Sequence, residues 1–439
     1  MPVLPAPDAP TPSSPTLPVL AWRGLVTGLA AGGVVGLLRL SHDHVAARTA
    51  LWLDGWHVSL WLVPFWFGVL VALAWGLRWI VRVEPMISGS GIPQTELALK
   101  GRLTFRWWRV LLAKFAGSWL ALFGGLALGR EGPSIQMGGA VGAGFDALWR
   151  PGGEERLLTE NPYVVAGAVA GLAAAFGAPV AGVLFAFEEM RCPRVPSLIV
   201  IACTAAIGAH IMVFGVFGMG RILPFASFVT PALADFWIVA AQGLFFGVLG
   251  VMYNHTLLWL HDVEARQTLI PDHWRALPPL LFAGLAALFL PLLVGGGENL
   301  IIFVGEKPVA IGALVLLLVL KYLFAQYSTV AAIPGGLLMP ILCLGALWGR
   351  TWAELGVAVF SPAGMLSPDI AQPWVLFGMV AYFAATVRAP LTGIALVTEM
   401  SGAYTCLPGS LLAGYVAAAV ANGLRCPPIY DSLKARIRL

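Results

Sequence analysis

The chain of 439 residues is 59% hydrophobic and only 11% charged, with a net charge of +4 at pH 7. A soluble protein of this size carries about 25% charged residues, and burying so much apolar surface in water needs a larger core than the chain can enclose. An ordinary water-soluble globule is excluded, the small and localised positive charge argues against a nucleic-acid partner, and a lipid bilayer is the solvent that fits.

In chain order, residues 1–18 are rich in Pro and Ser and hold no Lys or Arg. A secretory signal needs a positive leading segment, so this stretch reads as a disordered cytoplasmic tail. A membrane domain then runs over 19–439. Spanning helices need about 20 mainly apolar residues. Runs that supply them lie at 24–40, 60–81, 110–128, 163–187, 197–218, 235–260, 275–295, 308–326, 338–360, 373–400 and 405–424, several of them short, overlong or interrupted. The 51 glycines and 32 prolines suit helices that pack closely or stop inside the membrane, where irregular backbone lines a protected cavity. His42 and His44 flank Asp43 with no further ligand nearby, and read as a loop rather than a metal site. Arg78, Arg82, Lys100, Arg102, Arg106 and Arg109 crowd one short connection, and Lys434, Arg436 and Arg438 end the sequence. By the positive-inside rule both regions are cytoplasmic. Cys192, Cys203, Cys343, Cys406 and Cys426 lack metal or redox spacing and read as small apolar fillers. Nine residues follow Tyr430, so no C-terminal soluble regulatory domain is expected.

An internal repeat organises the chain. Residues 167–188 (GAVAGLAAAFGAPVAGVLFAFE) align without a gap on 378–399 (GMVAYFAATVRAPLTGIALVTE). Ala178-Pro179 falls on Ala389-Pro390, Gly182 on Gly393 and Glu188 on Glu399, an offset of 211 residues. Repeated halves, often inverted, are a common build for secondary transporters, whose substrate site lies at the repeat interface near the midplane.

Four segments share one physical design: Gly89-Ser90-Gly91-Ile92-Pro93, Gly129-Arg130-Glu131-Gly132-Pro133, Gly335-Gly336-Leu337-Leu338-Met339-Pro340 and Pro427-Pro428-Ile429-Tyr430. The first three put glycine-rich backbone just before a proline, with apolar sequence after it. Proline favours the first turn of a helix, and glycine lets bare backbone approach a ligand. Each reads as a broken helix whose N-terminus opens inside the membrane. Free N–H groups and the positive end of the helix dipole make such a terminus an anion site, whereas a full Lys or Arg charge binds an anion too tightly for quick release.

GSGIP, GREGP and GGLLMP in that order, with the late Tyr430, resemble the CLC family of chloride channels and proton-coupled chloride transporters. The likeness runs from about residue 20 to the C-terminus and includes Lys114, GGGENLI at 295–301 and RAPLTGIALVTEM. It implies an all-α polytopic membrane protein with two inverted-topology repeats, about 20–218 and 235–425, whose broken helices meet at a midplane anion site. A C-terminal helix over 427–438 and a homodimer with one pathway per subunit are implied as well. By the same resemblance, Ser90 and Tyr430 hold a central anion through hydroxyls that donate without a full charge, and the amides of Leu337 and Leu338 complete that site. The amides of Arg130, Gly132, Leu338 and Met339 form an outer site. Glu131 matches the external gating glutamate and Glu189 the internal proton-transfer glutamate; an intramembrane carboxylate is costly unless paired or functional. Adjacent residues on a helix point about 100° apart, so Glu188 faces elsewhere, and its match to Glu399 favours a structural role. The family's third motif usually has Phe where Leu338 stands, which leaves amide donation intact but makes the pore-lining side chain smaller. The amphipathic N-terminal helix of many members is replaced by the Pro/Ser tail.

The expected function is proton-coupled chloride antiport, with chloride and protons as substrates and no cofactor or metal. A passive chloride channel of the same family, a fluoride or other-anion exporter, and a membrane-embedded enzyme are the competing readings. Both acids argue against the channel, and the Ser90 hydroxyl and central tyrosine against a fluoride exporter. The sequence has no metal cluster, nucleophile elbow or phosphate loop for an enzyme. The short C-terminus resembles that of prokaryotic members, which implies an inner or plasma membrane, and the basic connection and basic C-terminus imply that both termini are cytoplasmic.

Overall fold

Hydrocarbon offers a backbone no hydrogen-bond partner, so a chain this apolar must satisfy its amides within helices. The computed structural model describes residues 16–54, 61–149, 161–225, 228–360 and 368–437. Among them are seventeen α-helices. The first eight are α1 (Leu17–Asp54), α2 (Leu62–Val83), α3 (Ile92–Leu99), α4 (Trp107–Phe123), α5 (Glu131–Trp149), α6 (Pro162–Phe176), α7 (Pro179–Glu188) and α8 (Pro196–His210). The next eight repeat that series: α9 (Phe236–Arg266), α10 (Leu277–Phe289), α11 (Glu298–Glu306), α12 (Ile311–Val330), α13 (Leu338–Phe360), α14 (Pro368–Val387), α15 (Pro390–Ser401) and α16 (Leu407–Gly423). A last short helix, α17 (Ile429–Lys434), follows.

The correspondence is local as well as serial. A 3-10 turn at Pro85–Ile87 precedes α3, and one at Pro291–Leu293 precedes α11. Both of those short helices start after a left-handed glycine, Gly91 and Gly297. Among the described residues, seven helices are long and apolar enough to cross a membrane. In contrast α3, α7 and α11 have eight, ten and nine residues, which at 1.5 Å per residue reach only about half of a 30 Å hydrocarbon layer.

Two expected spans are each a pair of helices. The run 163–187 divides into α6 and α7, and 373–400 into α14 and α15. Gly177 and Arg388 end the first helix of each pair at positive φ (64° and 70°), and Pro179 and Pro390 open the second. Proline lacks the N–H and the ring clearance needed to continue a helix, so the chain must restart there. The runs 110–128 and 275–295 likewise stop early, at Phe123 and Phe289. His42, Asp43 and His44, expected in a loop, lie inside α1, where Arg39 and Asp43 pair one turn apart (3.9 Å). Residues 1–15 of the expected tail, and Arg438, lie outside the described residues.

The core sits where α5 packs on α6 and α13 on α14. These crossings are backbone contacts: a Cβ on Gly138 would stand 2.1 Å from the Gly167 carbonyl oxygen, and one on Gly345 2.7 Å from that of Gly378. Without a hydrophobic drive between helices in lipid, such close approach supplies the dispersion contact that holds them. Trp75, Trp79, Trp237, Leu316 and Leu323 are exposed on the outer helices, as side chains facing hydrocarbon should be.

Candidate functional site

Helices α5 and α13 begin at one point in the fold, arriving from opposite halves of the chain. The carbonyls of Arg130 and Leu337 accept their first intrahelical bonds, from Ser134 (2.9 Å) and Ile341 (3.1 Å). Pro133 and Pro340 fill the third position of each helix, which leaves the amides of Glu131, Gly132, Leu338 and Met339 without intrahelical acceptors. Between the two starts, Gly129 and Gly336 exchange both backbone hydrogen bonds (2.7 and 2.6 Å), so a local two-fold runs through the pair. Gly335 donates to the Gly89 carbonyl at 3.1 Å, which draws GSGIP to the same place. Three of the four motif segments thus converge.

The Glu131 carboxylate folds back over this junction. It accepts from the Met339 amide of the opposite half, and its own N–H faces it too. It covers bare backbone: a Cβ on Gly129 would stand 2.0 Å from its Oε1. The side chain is buried, and Oε2 has no hydrogen-bond partner. Gly132 is equally constrained, because a Cβ there would meet the Ser90 hydroxyl at 2.3 Å and the Gly336 Cα at 3.1 Å. Only glycine lets the Ser90 hydroxyl reach the α5 N-terminus. Tyr430, fully buried on α17, turns its hydroxyl toward Ser90, yet neither hydroxyl completes a hydrogen bond. Tyr430 is within electrostatic range of both Glu131 and Glu189. Leu337, Leu338 and Met339 are all buried. The Arg130 side chain turns to Glu298 (2.5 Å), Asp43 (3.5 Å) and the Ala175 carbonyl (3.4 Å).

Glu189 is the first residue past α7 and is buried. Glu96, Lys434, Asp431 and Arg191 surround it electrostatically. Ion pairs tie these groups together: Lys434 to Glu96 (2.5 Å) and Asp431 (2.6 Å), Lys100 to Glu96 (2.6 Å) and Arg191 to Asp431 (2.6 Å). They place the basic connection after α3 and the basic C-terminus on one face of the molecule.

The supporting residues act through backbone groups. Lys114, buried in α4, donates to the carbonyls of Ile87 (2.8 Å) and Gly89 (2.7 Å) and so fixes the loop that carries Ser90. Glu188 and Glu399 cap each other's neighbouring helices. Glu188 accepts from the amides of Leu391 (3.1 Å) and Thr392 (2.7 Å) at the start of α15, and Glu399 from Val180 (3.1 Å) and Ala181 (2.9 Å) at the start of α7. A carboxylate at a helix N-terminus satisfies orphan donors and the dipole together. Glu188 therefore faces α15, away from Glu189's charged neighbours.

This arrangement can be set beside known proteins. A model of the family described as voltage gated chloride channel matches residues 67–422. The chain belongs to that family. The H(+)/Cl(-) exchange transporter ClcA of Vibrio cholerae is 34% identical to this voltage gated chloride channel family member over 424 residues, covering 94% of this chain and 89% of the relative. A slow cyanobacterial Cl-/H+ antiporter superposes with a TM-score of 0.84 at 29% identity, over 94% of this chain and 97% of that one. A eukaryotic CLC transporter shares the fold, with a TM-score of 0.76 at 22% identity over 95% and 74% of the two chains. The family fold of two inverted-topology repeats, an all-helical multi-pass membrane protein, is thereby this chain's fold, and its relatives are transporters rather than enzymes.

Sequence reading missed several partners. Lys321, buried in α12, donates to the carbonyls of Leu293 (2.8 Å) and Gly295 (2.6 Å), as Lys114 does in the first half. It lies 207 residues after Lys114, not 211, so the ungapped repeat did not lead to it. Glu298 stands inside the quoted GGGENLI, and a carboxylate in so apolar a stretch was itself the signal. Glu96, placed in α3, gave none. Among the described residues no group of three or more His, Cys, Asp and Glu is arranged to hold a metal.

Proposed function

We propose that the chain exchanges chloride for protons across a membrane, with Glu131 as the gate. The observation that carries this reading is the Glu131 carboxylate seated on the Met339 amide where two helix N-termini meet. A carboxylate and a chloride ion compete for the same partial positive charge. An ionised Glu131 plugs the junction. A protonated one is neutral, loses its advantage as an acceptor, and leaves the amides of Arg130, Gly132, Leu338 and Met339 to an incoming anion. Ser90 and Tyr430, whose hydroxyls are unpartnered, together with the amides of Leu337 and Leu338, hold the next anion without a full charge. Glu189, buried among the charges of the opposite face, loads and unloads protons there. The names of the relatives, exchange transporter and antiporter, support the same reading.

The repeats extend over about 20–218 and 235–425. The basic face that carries Lys100, Lys434 and Arg436 is cytoplasmic by the positive-inside rule, with both termini there and a prokaryotic inner or plasma membrane as the setting. The chain works as a homodimer with one pathway in each subunit. A passive channel is the second reading. Glu189 opposes it, since a channel has no use for a costly buried acid at that place.

The test is reconstitution in liposomes under a chloride gradient, with external pH and chloride recorded together. Protons should move uphill, driven by chloride. Glu131→Ala should abolish proton movement and leave chloride flux. Chloride flux without proton movement in the parent protein would make it a channel.

A further inference from the structure

Arg130 sits one residue before the gate, and its charge is a problem for rapid anion release. The outer junction works with amide dipoles, whereas an uncompensated guanidinium beside it would add a full positive charge and deepen the anion well. The structure surrounds Arg130 with carboxylates from two distant elements. Glu298 Oε1, at the start of α11, lies 2.5 Å from Arg130 Nη2. Asp43 Oδ1, on α1, lies 3.5 Å from Nη1. Arg39, one turn before Asp43, adds a second guanidinium, with 3.9 Å between its Nε and Asp43. The cluster is formally neutral, two cations against two anions. The side chain of Arg130 is buried, while those of Glu298 and Asp43 are 32% and 53% exposed. Arg130 and Glu298 both lie within electrostatic range of the Glu131 carboxylate, with opposite signs.

We propose that Glu298, with Asp43 in a lesser part, is a positioning residue that cancels the Arg130 charge, so that the outer anion site binds chloride weakly enough to release it at each turnover. The proposal rests on the reading of Glu131 as a carboxylate that competes with chloride. Glu298 acts through Arg130 and touches no anion itself. Ionised, it also holds the guanidinium turned away from the first turn of α5.

The test is chloride binding to the full-length protein in detergent by calorimetry, with Glu131→Gln as the reference so that no carboxylate competes. Adding Glu298→Gln keeps an acceptor for the guanidinium and removes only the charge. Uncovering one charge at an effective dielectric of about 20 should tighten chloride binding on the order of tenfold. Arg130→Gln should loosen binding by a similar factor, so that Glu298→Gln and Arg130→Gln together bind close to the reference, and Asp43→Asn, more exposed and more distant, should give a smaller gain than Glu298→Gln. In liposomes Glu298→Gln alone should lower turnover at saturating chloride, because tighter sites release more slowly. A structural role would not produce opposite shifts that cancel in the double variant. An unchanged chloride affinity on adding Glu298→Gln, or a double variant that binds as tightly as with Glu298→Gln alone, would overturn this inference while leaving the gate assignment standing. If Glu131→Gln binds chloride no better than the parent chain, the gate reading fails and this inference fails with it.

Discussion

At the scale of residues, the two acids read from the sequence meet different surroundings. Glu131 faces backbone amides, which on the proposed reading sets it in direct competition with an anion. Glu189 faces side-chain charges, Glu96, Lys434, Asp431 and Arg191, which on the proposed reading suits it to carry a proton rather than chloride. Glu189→Gln should therefore abolish or strongly reduce proton movement while chloride flux continues. Full coupling in that variant, measured by the same paired pH and chloride recording, would mean that protons reach Glu131 by another route. Leu338 in place of the usual Phe changes nothing about amide donation, since its helix start is the same as that of Glu131 in α5.

At the scale of elements, α7 and α15 hold each other by exchange of caps. Each is a short helix opened by proline, with first-turn amides that a membrane interior cannot hydrate. Glu399 supplies the acceptors for α7 and Glu188 those for α15, which explains why the repeat matched the acids. Glu399→Ala should cost about 1–2 kcal/mol of stability, the range for a lost N-cap with its dipole interaction. Glu399→Gln, which keeps an acceptor, should cost less. Thermal unfolding in detergent checks the order, and equal losses for the two would show that the cap contributes little. Because Glu189 directly follows α7, we also expect Glu399→Ala to loosen proton coupling.

At the scale of the whole molecule, the halves are joined by charge as well as by packing. Asp272, between α9 and α10, pairs with Arg78 (2.5 Å) and Arg82 (3.1 Å) at the end of α2. The Arg78 hydrogen bond, against a smaller cost of burial, holds the Asp272 carboxyl below its ordinary value of 3.8. A carboxylate depressed in the folded state stabilises it at pH above the unfolded value, and that contribution is lost as pH falls through 3.8 toward the folded value. Asp272 is about half exposed, so solvent screening keeps the contribution to no more than about 1 kcal/mol. Asp272→Asn should lower the thermal midpoint at pH 7, and the difference from the parent protein should shrink as pH falls below 3.8 and the carboxyl protonates. A difference that persists in acid would point to packing rather than charge.

The membrane class, the motif helices and the two acids were legible in the sequence, because each is a local property: apolar runs, glycine beside proline, a carboxylate where hydrocarbon should be. Two breaks were misjudged for a reason equally physical. The apolar pattern runs straight through Ala178-Pro179 and Ala389-Pro390, yet Pro179 and Pro390 cannot continue a helix, so the chain turns through left-handed backbone at Gly177 and Arg388 and restarts. What the tertiary structure alone decided was partnership. Glu131 meets Met339 some two hundred residues away, Arg130 meets Glu298 and Asp43, and Lys434 meets Glu96. No periodicity encodes such contacts, because they join stretches far apart in the chain that only packing brings together, as it brings the halves together at Gly129 and Gly336.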